Sequence, residues 1–113
     1  MEPSAVATLG EFKSDKPKLN QAMPEVMKHM DGLFGASLAE GALSLKEKEL
    51  IVVGISVAMR CDTCIVMHLE KALAAGATRA EIMEACGLAI AMGGGPVMAC
   101  VPVAVNFLEE SRR

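Results

Sequence analysis

Two cysteines three residues apart, Cys61 and Cys64, lie between Glu49 and His68 in the pattern Glu49-x11-Cys61-x2-Cys64-x3-His68. Two thiols at that spacing can close a disulfide with little backbone movement. If Cys64 and His68 share a helix, the imidazole lies one turn beyond the thiol on the same face. That places a proton acceptor where activation of a thiolate needs one. Asp62 is a predicted N-cap for a helix from Thr63 to about Ala75, closed by Gly76. Cys64 then falls in the first turn, where the positive end of the helix dipole favours a thiolate. Cys61 falls just outside the helix and is expected to be the more exposed sulfur, suited to exchange with a partner dithiol. The chemistry is that of a dithiol redox centre. Cys64 attacks a peroxide oxygen and becomes a sulfenic acid, Cys61 condenses with it, and an external dithiol resets the pair.

Glu49 is the candidate third member. If the helices before and after residues 60–62 form a hairpin, Glu49 and His68 come within about four to five residues of level. That is roughly 6–8 Å of helical rise, a gap one water can bridge. The carboxylate would then orient the imidazole and raise its basicity. Asp62, Glu47 and Glu70 are rival carboxylates. A zinc site is the competing chemistry, with Cys61, Cys64 and His68 as ligands and Glu49 or Cys86 as the fourth, although no second close ligand pair accompanies them. Covalent haem is excluded because Ile65 follows Cys64, and no cofactor is expected. His29 reads as structural or solvated. Cys86, Cys100 and the nine methionines read as packing residues.

The elements that must position these groups read as helices. Aromatic residues make up only 3% of the 113 residues while apolar residues make up 52%, mostly Ala, Leu, Val and Met, a balance that favours helix over sheet. Residues 1–16 are polar and read as an N-terminal arm, loose or a short helix. The domain proper spans 17–113. A first helix is expected near Pro17 and a second piece at Pro24, with Met23, Val26, Met27, Met30, Leu33 and Phe34 at helical spacing. Ser44-Leu45-Lys46-Glu47 forms a capping box that starts the next helix near Leu45. That helix is apolar on every side from Leu50 to Met59, as core or interface helices are. Thr78-Arg79-Ala80-Glu81 forms a second box, starting a helix to about Met92. Gly93 to Gly95 break the chain. Pro96 can begin a last helix that Pro102 either kinks or truly starts.

The run Ala85–Leu108 carries no charge and is long enough to span a bilayer. Its glycines, its prolines and its lack of flanking aromatic anchors favour two short buried helices instead. The net charge of −3 and the absence of a basic, aromatic-interleaved patch argue against nucleic acid as a partner. No signal-peptide pattern opens the chain, so a cytoplasmic location is expected. Disulfides rarely persist there, and a CxxC pair reads as redox-active or metal-binding. So short a chain cannot bury this much apolar surface alone, which predicts a homo-oligomer.

The spaced motif, with Gly41-Ala-Leu-Ser-Leu-Lys-Glu-Lys-Glu-Leu50 before it and His68-Leu-Glu-Lys-Ala-Leu-Ala-Ala-Gly-Ala77 after it, resembles the alkylhydroperoxidase D-like branch of the carboxymuconolactone decarboxylase family. The similarity spans roughly residues 17–108. The resemblance implies an all-α helical bundle built on the Cys-bearing hairpin and assembled into trimers or hexamers. It implies Cys64 as the peroxide-attacking thiol, Cys61 as the resolving one, Glu49 and His68 as a proton relay, and a protein or lipoyl-type dithiol as reductant. Alkylhydroperoxidase D enzymes often carry a second histidine just before the inner cysteine, where this chain has Thr63. The decarboxylase branch lacks the cysteine pair, so lactone decarboxylation is not implied. Two functions follow as expectations: a thiol-dependent peroxidase or dithiol–disulfide oxidoreductase, or a non-catalytic oligomeric binding or zinc-stabilised module on the same scaffold.

Overall fold

Both capping boxes form as the sequence predicts. Ser44 Oγ accepts from the Glu47 N–H while the Glu47 carboxylate accepts from the Ser44 N–H, and Thr78 and Glu81 repeat the exchange. Each satisfies donors that a helix start would otherwise leave open. The structure, a computed structural model, describes residues 4–112. Among them are seven helices and no strand: α1 Ala5–Ala22, α2 Pro24–Leu38, α3 Leu45–Ala58, α4 Asp62–Ala74, α5 Arg79–Gly93, α6 Gly95–Met98 and α7 Val101–Glu110. The fold is all-α, a helical bundle.

The central unit is the α3–α4 hairpin, and α3 packs most extensively on α4 and α5. Val53 and Val57 of α3, Ile65, Val66 and Leu69 of α4, and Ile82 and Cys86 of α5 are fully buried between them. Gly54 lets α3 approach α5 closely: a Cβ there would sit 3.4 Å from the Ala85 carbonyl oxygen.

The turns at the two ends of α4 use one device. After α3, the Arg60 N–H donates to the Val57 carbonyl and the Cys61 N–H to the Ser56 carbonyl. After α4, Gly76 and Ala77 donate to Leu73 and Ala72 in the same pattern. This is the Schellman closure, whose penultimate residue takes a left-handed conformation. Gly76 does so at φ 96°, where glycine is at ease, and Arg60 does so at φ 57°. Placing a side chain there costs about 1–2 kcal/mol.

The N-terminal segment departs from expectation. The first helix begins at Ala5 rather than near Pro17, and Pro17 lies inside it. Tertiary contacts outweigh the proline. Ser4 caps α1, the Glu110 carboxylate of α7 accepts from the Ala5 and Val6 N–H groups, and Ala5 and Leu9 are buried. Pro17 is exposed, so the backbone groups it leaves unpaired face solvent. At the other end, the glycine break is followed by the single turn α6, and Pro102 stands in the first turn of α7, where it starts a helix rather than kinking one. No helix among the described residues is long and apolar enough to cross a membrane.

The boxes make stability depend on acid. Hydrogen bonds from the Ser44 and Thr78 backbones hold the Glu47 and Glu81 carboxyls below the ordinary carboxylate value of 4.5. A depressed folded-state pKa adds stability above the unfolded value, and that stability is lost as pH falls through the folded value. Thermal melts should therefore show a falling Tm below about pH 4.5. The Glu47→Gln/Glu81→Gln variant should flatten that slope, and an unchanged slope would contradict the assignment.

Candidate functional site: a cysteine pair beside a buried Glu–His pair

The hairpin brings Glu49 of α3 and His68 of α4 together inside the bundle. Glu49 is 2% exposed and His68 5%, so both are buried polar groups that need partners. They satisfy each other: His68 Nδ1 and Glu49 Oε1 are 2.8 Å apart. The expected 6–8 Å gap with a bridging water is replaced by direct contact, because that distance counted backbone rise alone and the two side chains span the remainder. With Glu49 as a carboxylate, which only accepts, Nδ1–H is the donor of this hydrogen bond. In the neutral imidazole Nε2 then carries the lone pair, the form of a proton acceptor.

The rival carboxylates are engaged or remote. Glu47 belongs to the first capping box, Glu70 pairs with Lys13 at 2.8 Å, and Asp62 is exposed in the first turn of α4.

Cys61 and Cys64 are joined as a disulfide, with Cα atoms 5.2 Å apart. The N-cap of α4 is Cys61, one residue earlier than the Asp62 expected from sequence, and its Sγ accepts from the Cys64 N–H at 3.2 Å. Asp is ordinarily the better cap. Here the Schellman closure ends α3 on Cys61, and α4 begins without a spacer. The consequence concerns both sulfurs. The open N–H at the helix start points at Cys61 Sγ, while Cys64 sits in the first turn with His68 one turn further along the same helix. Both cysteines are half-buried.

Two neighbours were not singled out by sequence. Phe34 of α2 stacks at a tilt beside His68, with ring centroids 6.2 Å apart. Lys48, next to Glu49, donates from Nζ to the Ser37 carbonyl at 2.9 Å and to the Ala39 carbonyl, tying down the C-terminal end of α2. Phe34 showed only as one member of an apolar stripe. Lys48 had no signal, because a lysine that caps another helix looks like any surface lysine until the helices are placed.

Cys86 is buried in the core and its thiol is pushed up by burial. Cys100 is half-buried against the Pro96 carbonyl, and His29 is exposed. The zinc arrangement finds no donor set: among the described residues no group of three or more His, Cys, Asp or Glu side chains is placed to hold a metal ion.

The sequence profile of the carboxymuconolactone decarboxylase family matches residues 24–106, the span that contains the hairpin and all four residues of the spaced motif. The chain belongs to this family. A solved family member from Legionella pneumophila superposes with a TM-score of 0.86 at 34% identity, covering 93% of this chain and 95% of that one. A Thermotoga maritima family member, whose involvement in an antioxidative response has been suggested, superposes with a TM-score of 0.72 at 40% identity, covering 76% of this chain and 89% of that one. Among curated sequences, "Uncharacterized protein 4 in cox locus" from Paracoccus denitrificans is 32% identical over 108 residues, covering 96% of this chain and 91% of its own. The similarity to the Legionella and Paracoccus proteins thus extends beyond the profile match and takes in α1.

The Glu49–His68 contact has a stability signature. Glu49→Leu leaves a buried His68 N–H unpaired and should lower unfolding free energy by about 1–3 kcal/mol. Glu49→Gln keeps an acceptor and should recover most of it. Urea denaturation measures both. Side-chain 15N spectra should show His68 protonated at Nδ1 in the parent and redistributed in Glu49→Leu.

Proposed function

We propose that this protein is a thiol-dependent peroxidase that reduces hydroperoxides through Cys61 and Cys64, with His68 and Glu49 moving the protons. The observation that carries the reading is the buried Glu49–His68 hydrogen bond, one helical turn from a CxxC pair already closed as a disulfide. A structural staple would need no imidazole held in one tautomer beside it.

In the reduced protein, His68 Nε2 takes the Cys64 thiol proton and Glu49 stabilises the imidazolium. The Cys64 thiolate attacks the terminal oxygen of the hydroperoxide. The O–O bond breaks, and the leaving alkoxide takes the proton from His68 and departs as an alcohol. Cys64 is now a sulfenic acid. The Cys61 sulfur attacks Cys64 Sγ, the S–S bond forms, and the hydroxyl leaves with the Cys61 proton as water. The hydroperoxide has gained two electrons and the cysteine pair has lost two. One thiolate of an external dithiol then attacks Cys61 Sγ and Cys64 leaves. The reductant's second thiol breaks the mixed disulfide, Cys61 leaves as a thiolate, and the reductant departs as a disulfide. Cys61 suits that exchange because the helix N–H at its sulfur stabilises the thiolate it becomes.

We also propose that the protein works as a homo-oligomer. The helix α2 has no buried residue and exposes Val26 and Leu33, while the α3–α5 face exposes Ile51, Ile55, Leu88 and Met92 around an apolar groove of about 550 Å³. Apolar patches of this extent ordinarily mark an interface.

One equivalent of cumene hydroperoxide should remove both Cys61 and Cys64 thiols from the reduced protein, read by thiol titration. Cys64→Ser should abolish the reaction, Cys61→Ser should stop it at one oxidation event, and His68→Ala should slow it about 10²-fold or more. Normal turnover in Cys64→Ser would overturn the assignment. For assembly, Ile55→Glu/Leu88→Glu should lower the mass seen by light scattering, and an unchanged mass would exclude that face.

A further inference from the structure

A second cleft lies between α1 and α4. It measures about 300 Å³. Its floor is apolar, with Leu9 buried and Phe12 and Met67 half-buried. Its rim is cationic: Lys13, Lys16 and Lys71 face one carboxylate, Glu70. Lys13 is held by Glu70 at 2.8 Å, and Lys16 reaches Asp31 at 3.5 Å. Lys71 makes no ion pair among the described residues. An apolar floor with this one unpaired lysine, Lys71, at its rim complements one kind of small molecule: an alkyl chain ending in an anion.

The position of the cleft ties it to the cysteine pair. Cys64, Met67 and Lys71 stand at i, i+3 and i+7 on α4, a single helical stripe. Met67 on the cleft floor is one turn from Cys64, and Lys71 is about 10 Å of rise from it. An extended chain of about eight carbons spans that distance.

We propose that the α1–α4 cleft binds the tail of a hydroperoxide whose alkyl chain ends in a carboxylate, with the carboxylate at Lys71 and Lys16 and the peroxide delivered to Cys64. This rests on the peroxidase reading and names its substrate class. The neutral chain lies over Met67 and Phe12, where burial of each methylene is favourable. The carboxylate meets the lysines at the open end, where the contact is sensitive to salt. The peroxide step itself is unchanged: Cys64 takes the terminal oxygen and the product is the corresponding hydroxy acid.

The test compares 10-hydroperoxydecanoate with its methyl ester, as rates of thiol loss from the fully reduced protein. In about 50 mM salt the acid should react about tenfold faster, the scale of one charge-assisted contact. The advantage should shrink in about 0.5 M salt, and the acid-to-ester ratio should fall towards one in Lys16→Met/Lys71→Met. A second arm needs no turnover. Sodium decanoate should shift the Met67 methyl 13C resonance, assigned by its loss in Met67→Leu, and should not do so in the double lysine variant. Equal acid and ester rates in the parent protein would overturn the proposal. If neither hydroperoxide removes thiols, the peroxidase reading fails and the decanoate arm decides the cleft alone: a shift at Met67 upholds it as a carboxylate site, and no shift overturns it.

Discussion

The turn at residues 59–61 does two jobs with no residue to spare. Cys61 closes the last turn of α3 through its N–H and opens the first turn of α4 through its sulfur. Because one residue ends one helix and caps the next, the angle between the helices and the facing of their side chains are set together. Arg60 takes the left-handed conformation that the closure needs, at a cost a glycine would avoid. The register across the hairpin follows from this turn, and so does the meeting of Glu49 with His68.

That meeting would be unfavourable if either partner were alone. A buried carboxylate without a donor, or a buried imidazole N–H without an acceptor, costs more than a typical hydrogen bond returns. Together they are tolerated, and their burial holds the imidazole in one tautomer. The surroundings reinforce the arrangement from a third helix. Phe34 stands beside the imidazole, and Lys48 fastens the end of α2 that carries Phe34.

The apolar composition is divided between two tasks. One share forms the core, centred between α3, α4 and α5 and extended by α1, α6 and α7, where Val53 and Val57 of α3 face inward. The other share stays at the surface, on α2 and on the outer sides of α3 and α5. The helix α3 is apolar all round because it serves both, touching the core on one side and lining the bare groove on the other.

Much of this was legible in the chain. The two capping boxes, the start of α3 at Leu45 and the end of α4 before Gly76 are local signals, carried by residues three or four apart whose backbone and side chains interact directly, whereas Pro102 left two readings open, of which the structure takes the helix start. Local rules failed where distant contacts prevail. Pro17 reads as a helix start, yet α1 runs through it because Glu110, 105 residues from Ala5, caps its first turn. Asp62 reads as a cap, yet Cys61 takes the position because the preceding helix ends there. Sequence spacing brought Glu49 near His68 but could not say that they touch, since that depends on how two helices cross. It said nothing of Phe34 beside the imidazole or of lysines from two helices around one cleft. The sequence by itself determined which residues could do redox chemistry and which helices carry them. Only the tertiary structure decided which of these groups meet, because contacts between helices are set by packing across the whole bundle and not by neighbours along the chain.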